Sequence, residues 1–145
     1  MKLLDTNVWL ALTLKAHVFH EAGRQWFRTE AREEPVLFCR ATQQSYLRLL
    51  TTESVMRGYG LPAMSNANAW GEIERLLADS RVKLMAEPPG LEGYWRNVTT
   101  RHSASPKIWM DAYLAAFAVA GKYQFVTTDK AFSQYPGLEL HLITL

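Results

Sequence analysis

Apolar residues recur along this chain at two alternating spacings, and the alternation predicts the architecture. Leu3-Leu4 is a short apolar run that leads into Asp5, and Asn7 to about Leu14 reads as a helix. His17 to about Arg32 follows at helical period, with Phe19, Ala22, Gly23, Trp26 and Phe27 near one stripe. Pro35 breaks that pattern, and Val36-Leu37-Phe38-Cys39 is a continuous apolar run of strand length. Thr42 to about Thr52 returns to helical spacing, Gly58–Pro62 is a loop by its breakers, and Ser65 is a fitting N-cap for a helix to about Asp79. Val82–Met85 is a third strand, Leu91 to about Arg101 a helix, and His102–Pro106 a polar loop. Ile108 to Ala120 is the strongest helical segment, with Gly121 as its terminator. Gln124–Thr127 is a fourth strand and Leu140–Ile143 a fifth. Strands separated by helices predict an α/β domain, three layers deep, with a mostly parallel sheet of about five strands.

Composition narrows this picture. The chain has 145 residues, 48% of them apolar, which suits one packed domain over residues 1–145 and excludes disorder. A net charge of +2 gives no global field for nucleic acid, so any such site must be local. The single cysteine, Cys39, excludes an internal disulfide and fits a reducing cytoplasm. Asp5 interrupts the apolar N-terminus, which reads against a signal peptide, and no run of about 18 apolar residues is present to span a membrane.

The placement of aspartates is the most informative feature. Only Asp5, Asp79, Asp111 and Asp129 occur. Asp5 directly follows the first strand, and Asp129 lies just past the end of the fourth. The carboxyl ends of parallel strands line one edge, where ligands bind. Asp111 stands at the start of an apolar stripe, with Leu114, Ala115, Ala118 and Val119 at helical spacing from it. A carboxylate there is costly without compensation, and three together repel unless a cation lies between them. Hard oxygen donors suit Mg²⁺ or Mn²⁺. Each acid also has a structural reading: Asp5 and Asp129 as N-caps, Asp111 as a charge favoured by its helix dipole. Asp79 reads as a solvated helix terminus. His17 and His20 can share a helix face, in packing roles and not as a second metal site.

Four segments in order resemble the PIN-domain proteins, and in particular VapC-type toxins of toxin–antitoxin pairs. They are Asp5-Thr6-Asn7-Val8-Trp9-Leu10, Cys39 to Arg48, Asp111-Ala112-Tyr113-Leu114-Ala115-Ala116, and Thr127-Thr128-Asp129-Lys130-Ala131-Phe132. The resemblance implies an endoribonuclease dependent on Mg²⁺ or Mn²⁺, a cognate antitoxin and a homodimer. It implies Asp5 and Asp111 as principal metal ligands, Asp129 as the third acid, Thr127 as a supporting hydroxyl, and Asn7 as a residue that orients Asp5. The chain departs from the family at Gln43, where many members carry a Glu. An amide brings no charge, so one metal ion, or a weakly held second, is expected.

On that reading, water attacks the scissile phosphate in line and leaves a 5′-phosphate and a 3′-hydroxyl. Arg40, Arg48, Arg101, Lys107 and Lys130 adjoin the matching segments and are candidates for RNA phosphates. Trp9, Trp26 and Tyr46 are candidates for an apolar groove that receives the antitoxin. Two other classes stay open: a phosphohydrolase of a small phosphorylated metabolite, and a non-catalytic module that binds RNA or a partner.

Overall fold

The computed structural model describes residues 1–145. Its elements in chain order are β1 (Lys2–Leu4), α1 (Thr6–Thr13), α2 (His20–Thr29), β2 (Val36–Cys39), α3 (Arg40–Leu50), α4 (Glu53–Arg57) and α5 (Asn66–Leu77). There follow β3 (Val82–Met85), α6 (Leu91–Thr99), α7 (Ile108–Gly121), β4 (Gln124–Thr127), a 3-10 helix (Lys130–Gln134) and β5 (Leu140–Leu142). The five strands form one sheet in the order β3-β2-β1-β4-β5, and every pairing is parallel.

The two-residue alternation of side chains divides the strands' apolar residues between two cores. Leu4, Val36, Phe38, Val82 and Val126 point to one face, where residues of α1 to α5 cover them. Leu3, Leu37, Cys39 and Phe125 point to the other, under α6, α7 and the 3-10 helix. Burial on both faces explains why β2 reads as an unbroken apolar run. Trp9 stacks on Phe38 with ring centroids 3.8 Å apart, and the Tyr46 hydroxyl meets Thr13 Oγ1 at 2.7 Å. Trp9 and Tyr46 are fully enclosed and Trp26 nearly so. The docking groove expected from these three aromatics is therefore corrected: they are core, and their area is spent on holding α1, α2 and α3 to the sheet.

Several element boundaries differ from expectation for local reasons. The helix expected from His17 starts at His20, because the His17 ring accepts the Phe19 amide at 3.1 Å and stacks on Tyr59. His20 instead reaches the Ala11 carbonyl, at 2.7 Å, so the two histidines share no helix face. Ser65 caps α5 as expected, its hydroxyl accepting from the Asn68 amide at 3.0 Å. α4 was not expected; its single turn follows Thr52 and carries an exposed Glu53–Arg57 pair. At the end of α7 the left-handed residue is Lys122 (φ 56°), and Gly121 is the last helical residue. Gly121 serves close approach instead, since a Cβ there would stand 2.1 Å from the Tyr123 ring. Asp79 is also no free terminus: Arg81 reaches both its carboxylate oxygens, at 3.1 and 2.8 Å, and the carbonyls of Phe27 and Ala31. No helix is long and apolar enough to cross a membrane.

Candidate active site

The connection after β1 runs toward β2 on one side, whereas the connection after β4 runs toward β5 on the other. Adjacent parallel strands whose exits diverge leave a crevice at their carboxyl ends, and this is where open α/β sheets bind ligands. Here the crevice lies between β1 and β4. The residues that emerge into it are Asp5 and the segment Thr127–Asp129.

A short relay of hydrogen bonds fixes them. The Asp5 amide donates to the Val126 carbonyl at 2.9 Å, which extends the β1–β4 ladder by one residue and sets the carboxylate at the edge. Thr127 Oγ1 donates to Asp5 Oδ2 at 2.7 Å, and the Asp129 amide donates to Thr127 Oγ1 at 3.0 Å. Because the hydroxyl accepts from one side, its proton is directed to Asp5. Asp5 stands at the N-cap position of α1, as the structural reading has it, but its side chain makes no capping bond there. Asp129 does act as a cap, with Oδ1 accepting from the Ala131 amide at 2.9 Å.

The electrostatics of this edge are unbalanced. Asp5 is 8% exposed, and burial pushes its carboxyl up from the ordinary value of 3.8 to about 6. The Thr127 hydroxyl and the Thr6 amide oppose that shift, while the charges of Asp111 and Asp129 add to it. Asp111, half-buried in the first turn of α7, is raised by its own burial and by Asp129. No Lys or Arg forms a salt bridge with Asp5, Asp111 or Asp129. Uncompensated carboxylates with hard oxygen donors are what Mg²⁺ or Mn²⁺ takes, and the donor set fits such an ion. No group of three or more His, Cys, Asp or Glu side chains is set at a spacing that would hold a metal ion. Mg²⁺ keeps several waters and is commonly bound through one or two carboxylates, so the fit does not require a closed protein shell.

Asp111 opens onto a cleft of about 370 Å³ that Arg101, Lys107, Gln134 and Tyr135 also line. Two of the five basic candidates thus stand beside an acid of the site. Lys130 is exposed next to Asp129. Arg40 and Gln43 bind each other, guanidinium to amide oxygen, and Gln43 makes no hydrogen bond to the acids. Arg48 is exposed on a separate groove that Met110 also borders. Asn7 is exposed and makes no hydrogen bond to Asp5; Thr127 alone holds that carboxylate by a side chain.

Tyr135 is the residue that sequence reasoning missed. It is 6% exposed, and its hydroxyl has no hydrogen-bond partner. Burial, followed by the nearby Asp111 charge, pushes this phenol up to about 12, with Arg101 opposing. Nothing in the sequence marks Tyr135, because it lies past the fourth matching segment and outside any periodic run.

Comparisons with known proteins bear on the family and the fold. The family model described as PIN domain matches residues 2–138. Ribonuclease VapC41 of Mycobacterium tuberculosis is 53% identical over 144 residues, covering 99% of both chains. Ribonuclease VapC44 of the same organism is 32% identical, covering 99% of this chain and 98% of its own. Among solved structures, VapBC2 of Rickettsia felis, bound to a DNA fragment from its promoter, superposes with a TM-score of 0.68 at 13% identity, covering 99% of this chain and 98% of that one. M. tuberculosis VapC20, described as a Sarcin-Ricin loop cleaving toxin, gives 0.66 at 18% identity, covering 96% and 98%.

Proposed function

Since the chain belongs to the PIN-domain family, and within it to the VapC ribonucleases, we propose that it is the endoribonuclease toxin of a toxin–antitoxin pair and that its acidic edge works with Mg²⁺ or Mn²⁺. The observation that carries this reading is the Asp129–Thr127–Asp5 relay at the β1–β4 crevice, with the charge of Asp111 on α7 close enough to act on Asp5. Its cognate partner is an antitoxin protein, it acts in the cytoplasm, and it works as a homodimer.

Asp5 and Asp111 would hold the divalent ion, with Asp129 adding negative charge beside them; the ion, when bound, would lower the pKa of water there and offset charge developing on the phosphate. Thr127 keeps Asp5 Oδ2 engaged, so the carboxylate presents its other oxygen in one fixed orientation. Arg101 and Lys107 place positive charge along the cleft beside Asp111, where a phosphodiester can be drawn in and aligned. The reaction forms a bond from water oxygen to phosphorus and breaks the bond from phosphorus to O3′. The leaving O3′ takes a proton and becomes a hydroxyl, and the phosphate stays on the 5′ side.

The test is cleavage of RNA by the purified chain with Mg²⁺, with Mn²⁺ and with EDTA, alongside Asp5→Asn and Asp111→Asn. Cleavage that stops with EDTA and in both variants is the expected result. Undiminished cleavage in either variant defeats the assignment. RNA that is retained uncut under all conditions would make the chain a binding module instead.

A further inference from the structure

Next to the Asp111 cleft lies a second one, of about 610 Å³, that the proposed chemistry does not use. The two share Arg101, Ser105 and Pro106, so the loop before α7 is a common wall. Trp95 on α6 and Trp109 on α7 line the second cleft with their rings at 78° and centroids 6.2 Å apart. The Trp95 indole N–H donates to the Trp109 carbonyl at 3.0 Å, and Tyr113 packs edge-on against Trp95. Trp95 is thereby held in place. Trp109 is 54% exposed, although it stands in the first turn of the same helix as Asp111.

We infer that this aromatic corner is a subsite for an unstacked nucleobase of single-stranded RNA, seated next to the phosphate that is cut. The inference rests on the ribonuclease reading for the site beside it. Three observations favour RNA over other occupants. An indole corner with one ring held in place and the other open to solvent is a surface on which any base can stack. Arg101 has no carboxylate partner and lines both clefts, so one guanidinium can hold the phosphate that joins a stacked base to the scissile position. The volume is that of a pocket for a group of nucleotide size. Glu92 is the one acid in the cleft, and Arg96 pairs with it at 3.4 Å, which balances its charge. The Thr99 and Thr100 hydroxyls donate to the backbone carbonyls of Trp95 and Arg96, at 2.7 and 2.6 Å. They are therefore occupied as donors, which leaves edge contacts to Ser103, Ser105 and the arginines of the cleft beside the stacking surface.

The experiment measures binding of a fluorescein-labelled single-stranded RNA decamer by anisotropy in EDTA, so that binding is read without cleavage. Wild type is compared with Trp109→Ala and Trp109→Phe, and intact RNA with RNA carrying abasic positions. Trp109→Ala is expected to weaken binding about tenfold, with partial recovery in Trp109→Phe, and abasic RNA is expected to bind wild type about tenfold more weakly. With Mg²⁺ present, the loss in Trp109→Ala falls on KM and leaves kcat near the wild-type value. Equal affinity for the variant, or for abasic RNA, overturns the subsite while leaving cleavage intact. Unchanged RNA affinity with a lower molar mass by light scattering gives the surface to a second copy of the chain. Absence of cleavage by wild type defeats the ribonuclease reading alone, because the EDTA arm still decides the subsite. If Trp109→Ala does not fold, Trp109→Phe and the abasic RNA carry the test.

Discussion

Asp79 and Asp5 are the same residue type in opposite circumstances. Asp79 closes the turn after α5, where Arg81 donates to both of its oxygens and the Arg81 guanidinium lies 4.0 Å from the centre of the Phe27 ring. The bonds from Arg81 hold its carboxyl below the ordinary aspartate range. Asp5 is more deeply buried, receives one side-chain hydroxyl, and is displaced upward to about 6. An acid whose cation is part of the chain is a finished structural element. An acid buried with two other carboxylates nearby and no cationic side chain is relieved by a proton or by a positive charge from outside, and this edge of the sheet has that arrangement.

The largest expected effect separates the two by activity. Asp5→Asn should lower RNA cleavage by about a hundredfold or more, whereas Asp79→Asn should leave kcat unchanged; equal losses in both would erase the distinction. Stability should then move the other way. A carboxyl raised in the folded state destabilises the fold as it ionises, so the Asp5 contribution is absent below about pH 4, grows as pH rises to about 6, and stays above that. On the order of 3 kcal/mol is at stake. In EDTA, Asp5→Asn should therefore raise Tm at pH 7 and not at pH 4, and a lower Tm at pH 7 would show that the burial of this charge is offset within the chain. Asp79 has the reverse sign: its stabilisation is present above its unfolded pKa and is lost as pH falls through its lower folded value.

Smaller effects sharpen the same contrast. Thr127→Val removes the hydroxyl between Asp129 and Asp5 and should cost about tenfold in cleavage, within the range for lost supporting contacts; a full-rate enzyme would show that the relay does not position the acid. Asp79→Asn should destabilise by about 1 kcal/mol in urea titrations, modest because the pair is partly exposed. Tyr135→Phe removes a buried hydroxyl that has no partner. It should leave stability unchanged or raise it by up to about 1 kcal/mol, and a marked drop would mean that a bound water satisfies that group.

The sheet was legible because β1, β2 and β4 are buried on both faces and the strands are punctuated by Pro35, Pro88-Pro89 and Gly121. The acids were legible because few aspartates occur and two of them end strands. What could not be read was how side chains divide their bonding. Asp5 and Asp129 both stand at N-cap positions, yet only the Asp129 side chain makes the capping bond, while that of Asp5 receives the Thr127 hydroxyl. Gln43 and Arg40 sit one helical turn apart and satisfy each other, a pairing that competes with any role at the acids. The aromatic residues Trp9, Trp26 and Tyr46 went to the core, while Trp109 stayed half-exposed, because helical period alone does not say which side of α7 α6 will cover.

The bond from Thr127 to Asp5 spans 122 positions of sequence. A ribosome making this chain releases Asp5 almost at once and Thr127 only near the finish, and β1 has no β4 neighbour until then. A truncated or stalled product therefore carries one half of the acidic edge without the other. The acidic edge thus exists only in a chain whose synthesis is nearly finished.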